Sequence, residues 1–147
     1  EGRRMRVMFA AIGLALGLSA CQPAQPLVIS DAEFRPPLGS SGIGAAYFSI
    51  TSATPDRIVA VTSAEADSIE IHASVTEGGR ASMKRLETVE LPAGKTVKFV
   101  PGGMHLMVFS PRRGRDLTGF PITIELQSGV KRTVSFEQTR EGGERHS

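Results

Sequence analysis

Ser68-Ile69-Glu70-Ile71-His72-Ala73-Ser74-Val75 leads into the turn Glu77-Gly78-Gly79-Arg80, and the run Ala81 to Glu87 returns from it. Ile69, Ile71, Ala73 and Val75 fall on one side of an extended chain, and Glu70, His72 and Ser74 on the other. That period of two is what a half-buried β-strand requires. The flanking text has the same character: short alternating or apolar runs separated by Gly, Pro and Ser clusters, with no sustained helical periodicity. The runs predict strands over Leu27 to Phe34, Ala45 to Thr51, Arg57 to Thr62, Ser68 to Thr76, Ala81 to Glu87, Thr96 to Val100, Leu106 to Phe109, Pro121 to Gln127 and Lys131 to Gln138. About nine short strands in roughly 115 residues predict an all-β Greek-key sandwich or small barrel.

The 147 residues suit one domain. Arg3, Arg4 and Arg6 precede the apolar run Val7 to Leu18, which has the length of a signal-peptide core and is short for a membrane span. Residues 1–20 are therefore read as a leader, with Met5 a candidate start. The run closes on Leu18-Ser19-Ala20-Cys21, which resembles the lipobox of bacterial lipoproteins and makes Cys21 the expected lipidation site and membrane anchor. Gln22 to Pro26, with two prolines, reads as a tether, so residues 21–26 link the membrane to a β-domain over 27–138. Residues 139–147 read as a polar tail. Cys21 is the one cysteine, so no disulfide supports the domain.

Charge removes one class of partner. Three of the 17 basic residues and one of the 15 acidic residues precede Cys21, leaving 14 of each afterwards. A neutral mature chain with no Trp, one Tyr and seven Phe has neither the basic surface nor the stacking platforms of a nucleic-acid binder.

The chemistry lies mid-chain. His72 points away from the apolar side of its strand, and either plausible odd-sum register of the hairpin puts Met83 directly or diagonally across from it. Beyond Pro101-Gly102-Gly103, His105 and Met107 share a strand face at i, i+2, with Leu106 and Val108 on the other. Joined, the two pairs form a His2Met2 donor set. Thioethers are soft and neutral, which favours Cu(I) over Mg²⁺, Ca²⁺ or zinc, and a blue-copper centre would need a thiolate in the site. Cu(I) is the expected cargo. Met104 reads as core or rim, Glu70 as a solvated strand carboxylate or a support for His72, and Arg112, Arg113 and Arg115 as a solvated loop.

The spacing of His72, Met83, His105 and Met107 is similar to the signature of the periplasmic PCu(A)C copper chaperones. Ala45 to Thr51, Ile69 to His72, Leu91-Pro92-Ala93-Gly94 and Pro101 to Met107 resemble that family's segments in order. The resemblance covers roughly Phe34 to Gln138. It implies a cupredoxin-like barrel that carries one Cu(I) in the periplasm and passes it to a copper-accepting protein. The implied recipients are a cytochrome oxidase subunit carrying the Cu(A) centre or a Sco-type thiol protein. Two departures stand out: the arginine-rich stretch Ser110 to Asp116, and a tail with only His146 where some members carry a His- and Met-rich extension. A non-catalytic carrier is expected ahead of a copper-dependent redox enzyme, because no Ser/His/Asp set or reactive thiol accompanies the donors. An interaction lipoprotein with an incidental His/Met cluster is the third reading, and copper titration separates it from the other two.

Overall fold

Burial alternates residue by residue along most strands of the computed structural model, which describes residues 27–112 and 119–139. The strands are β1 (Val28–Arg35), β2 (Ile43–Thr51), β3 (Asp56–Thr62), β4 (Ser68–Glu77), β5 (Arg80–Leu86), β6 (Val89–Leu91), β7 (Thr96–Phe99), β8 (Met104–Phe109), β9 (Phe120–Leu126) and β10 (Lys131–Gln138). They run in the order β5-β4-β8-β7-β2-β1-β10-β9-β3-β6, with β8 also pairing β2, and curl into a nearly closed, cupredoxin-like barrel. Only the β1–β10 and β7–β8 pairings are parallel. Among the described residues there is no helix.

The all-β expectation holds, with ten strands in place of nine. The addition is β6, which pairs β3 and buries Val89 and Leu91. Val89-Glu90-Leu91 is too short for its alternation to stand out in sequence; the barrel supplies the pairing that makes it a strand. The hairpin of β4 and β5 forms at the expected turn, where Gly78 and Gly79 take positive φ values of 58° and 78°. β8 begins two residues earlier than its apolar run suggested, because Ala73 pairs with Met104 and His72 with His105.

Packing inside the barrel is led by aromatic rings. Phe48 stacks on Phe99 at 4.3 Å and meets Phe136 edge-on at 5.7 Å, while Phe34 stacks on Phe120 at 4.2 Å. Leu106 and Val108 of β8 and Ile71 of β4 join this core. Each fully buried aliphatic side chain contributes about 1.5–3 kcal/mol. These three residues alternate with His72, His105 and Met107, so the core face determines which residues the outer face of β4 and β8 presents.

Phe48 touches two rings at once, so Phe48→Ala should destabilise the domain by about 3–5 kcal/mol in urea unfolding. A loss below about 1 kcal/mol would mean that the stacked rings are not the core's centre.

Candidate metal centre

Strand register builds the site. In the β4–β8 ladder His72 stands opposite His105, and Glu70 opposite Met107. In the β4–β5 ladder Ser74 stands opposite Met83, and His72 opposite Arg85. Directly opposed residues share a face, so His72, Met83, His105 and Met107 project from one side of three adjacent strands. Met83 and Met107 are each diagonal to His72. The imidazole centres of His72 and His105 lie 6.0 Å apart at 38°. Two imidazoles on one ion through bonds of roughly 2 Å have centres about 5–6 Å apart, a span these rings match.

The loop between β7 and β8 orients His105. Val100 O accepts the Gly103 amide at 3.0 Å, closing a turn in which Gly102 takes φ 81°. The Gly103 carbonyl then accepts twice, from the Ser74 amide at 3.2 Å and from His105 Nδ1 at 3.3 Å. One carbonyl thus ties the loop to β4 and aims the imidazole, leaving Nε2 of His105 as its acceptor nitrogen.

His72 is held differently. Its Nε2 donates to Glu70 Oε2 at 2.8 Å, and the other Glu70 oxygen lies 3.2 Å from Arg85 Nη1. Arg85 also reaches Glu87 at 3.4 Å. The His72 bond first, and Arg85 after it, hold the Glu70 carboxyl below its ordinary range. Glu70 is therefore no free carboxylate of a solvated strand: it is wedged between a ring and a guanidinium. Nδ1 of His72 is buried with no hydrogen-bond partner. An acceptor left so costs about 1–3 kcal/mol, and a bound ion at Nδ1 would satisfy it.

Exposure grades across the four residues. His105 is 7% exposed, His72 and Met107 are partly buried, and Met83 on edge strand β5 is 64% exposed. Met83, His105 and Met107 line a cleft of about 1150 Å³ whose walls include Ala45, Tyr47 and Pro101; His72 stands beside it. Ala45, directly across from Met107, is small enough to leave that thioether open to the cleft. Among the described residues no three His, Cys, Asp or Glu side chains cluster around a metal-sized point, so any centre here needs the methionines.

The remaining candidates separate cleanly. Met104 packs against the core, on the other face of β8 from His105. Arg112 is not simply a solvated loop residue: it bonds Asp67 at 2.6 Å and the Ala64 carbonyl at 3.0 Å, pinning the start of the segment after β8 to the turn before β4. Arg113, Arg115, His146, Cys21, the leader and the tether lie outside the described residues. Of the two sequence readings of Glu70, a solvated strand carboxylate or a support for His72, the 2.8 Å contact bears out the second, which the i, i+2 spacing on one strand face allowed.

Two imidazoles and two thioethers share one face of a small all-β barrel, and comparison with solved structures agrees on the fold. The chain superposes on a copper-bound PCuAC domain from PmoF2 with a TM-score of 0.63 at 19% identity, covering 80% of this chain and 95% of that one. For Cu(I)-DR1885 from Deinococcus radiodurans the TM-score is 0.64 at 24% identity, covering 84% and 85%. The chain belongs to the LpqE-like family, described as "Putative lipoprotein LpqE-like", whose model matches residues 27–137. A relative from Leifsonia xyli subsp. xyli, "Putative lipoprotein Lxx21020", is 34% identical over 71 residues, 46% of this chain. That match spans 43% of the relative's length.

No atom lies within 4 Å of a Cβ built on Gly102, so Gly102→Ala should act through backbone conformation alone. The left-handed φ should cost about 1–2 kcal/mol, and the Ser74 amide should exchange faster as the Gly103 carbonyl loosens. Unchanged Ser74 protection would show that the turn does not hold the carbonyl in place.

Proposed function

We propose that this protein is a lipid-anchored periplasmic copper chaperone that binds one Cu(I) through His72, Met83, His105 and Met107 and passes it to a copper-accepting protein. The observation that carries the reading is the joint register of β4, β5 and β8, which gathers two imidazoles and two thioethers on one face while a buried His72 nitrogen has no partner. Soft, neutral donors favour Cu(I), and without a thiolate or carboxylate ligand the ion's charge stays uncompensated, which suits release. One fold neighbour described as a copper-bound PCuAC domain and another described as Cu(I)-DR1885 support the same cargo. The recipient is taken to be a cytochrome oxidase subunit or a Sco-type thiol protein, following the PCu(A)C resemblance. The family description supports the lipoprotein assignment, with Cys21 as the lipidated residue.

Within this reading the residues divide the work. His105, nearly buried and aimed by Gly103, gives a fixed nitrogen donor. Met107 lines the cleft beside that donor, and exposed Met83 is where an incoming ligand from the recipient would first compete for copper. Only coordinate bonds to the ion are exchanged in the transfer and no covalent bond of the protein changes, so the role is carriage rather than catalysis.

Titration against a chromophoric Cu(I) chelator should give one ion per chain. Met83→Ala and His105→Ala should each weaken binding at least tenfold, about 1.4 kcal/mol. Protons compete for imidazole nitrogens and not for thioethers, so affinity should fall as the solution is acidified. Wild-type affinity in both variants would eliminate this donor set.

The wild-type protein should fractionate with membranes, and Cys21→Ser should release it or block its processing. Soluble, unlipidated wild-type protein would remove the anchor from the proposal.

A further inference from the structure

The hydrogen bonds around the two histidines are not equivalent, and from that asymmetry we infer that Glu70 is a positioning residue: it fixes His72 as the tautomer that presents Nδ1 to copper, while His105 presents Nε2. The inference rests on the copper reading above and adds to it which nitrogen of each ring binds and what selects it.

A carboxylate accepts hydrogen bonds and cannot donate them, so the 2.8 Å contact from His72 Nε2 to Glu70 Oε2 places the ring proton on Nε2. In a neutral imidazole the lone pair then lies on Nδ1. That atom is the buried nitrogen with no hydrogen-bond partner. The opposite tautomer would leave an N–H at Nδ1 with nothing to accept it and would set the Nε2 lone pair against the Glu70 oxygen. His105 follows the reverse logic. Its Nδ1 faces the Gly103 carbonyl, also an obligate acceptor, at 3.3 Å, so its lone pair lies on Nε2. The register sets these opposite tautomers directly across from one another.

Arg85 keeps Glu70 in this supporting role. Its guanidinium lies 3.2 Å from Glu70 Oε1 and stands across from His72 on β5, so each carboxylate oxygen already has a partner. A carboxylate engaged on both oxygens is poorly placed to turn and ligate the ion, which leaves the set soft and spares it a hard oxygen donor that would favour other metals.

The test is nuclear magnetic resonance of the full-length protein with isotope-labelled imidazole nitrogens, first without metal. Long-range proton–nitrogen spectra should show His72 protonated at Nε2 and His105 at Nδ1. Ag(I), a diamagnetic stand-in for Cu(I) with a spin-half nucleus, should then couple to His72 Nδ1 and His105 Nε2. Glu70→Gln can present either a carbonyl or an amide to Nε2, so it should give mixed His72 tautomers, leave His105 unchanged and lower Cu(I) affinity roughly tenfold to hundredfold. A metal-free His72 protonated at Nδ1, silver coupling at its Nε2, or a single unchanged His72 tautomer in Glu70→Gln would each overturn the inference while leaving the copper assignment standing. Absence of silver coupling at both histidines would instead sink the His2Met2 reading, and the metal-free spectrum would still decide whether Glu70 sets the tautomer.

Discussion

The pairing of β4 with β8 governs the rest of the molecule's chemistry. Ile71 opposite Leu106 and Ile69 opposite Val108 bury the inner face of this ladder; His72 opposite His105 and Glu70 opposite Met107 occupy the outer face. A shift of one residue in either strand would turn imidazoles and a thioether into an aromatic core and expose branched aliphatics to water. The hydrophobic effect, which has no direction of its own, thereby specifies the relative positions of polar donors that barely touch one another. The hairpin turn at Gly78 and Gly79 extends that precision to Met83, because a hairpin's loop fixes its register.

Much of this was legible in the sequence because it depends on parity. Strict alternation from Ile69 to Val75 gave the face of His72, the i, i+2 relation gave His105 and Met107 a common side, and the hairpin needed only an odd-sum register to include Met83. Facts that depend on partners distant in sequence were not legible. β6 exists because β3 offers an edge to three residues, and Arg112 is anchored by Asp67 and Ala64, forty-five and forty-eight residues earlier. The start of β8 was misplaced because the continuous apolar run begins only at Leu106, whereas pairing with Ala73 and His72 extends the strand back through Met104 and His105.

The grading of exposure bears on why such a site would carry rather than catalyse. A redox centre gains from a closed, uniform surround that holds its geometry between oxidation states, and from ligands that stabilise both. Here one imidazole is nearly buried and fixed by a backbone carbonyl, while the outermost thioether sits on a strand with a single described neighbour. In the proposed site the donors thus differ in how easily they can be displaced.

Edge strands are ordinarily a liability, since their unpaired amides and carbonyls invite pairing with other chains. β5 carries Arg80, Lys84 and Arg85, the charged residues that usually blunt such an edge, and it also carries Met83. Under the proposed copper transfer, the arrangement reconciles two demands. Charge on the strand discourages a second copy with the same basic edge from adding to the sheet, yet the thioether remains where a recipient's donor can approach it. A methionine placed on β8 instead would be flanked by strands on both sides and would have to give up core packing or the β4 pairing to become equally accessible. For the proposed site, the edge is the position in this barrel where a ligand can be exposed without loosening the register that holds the other three.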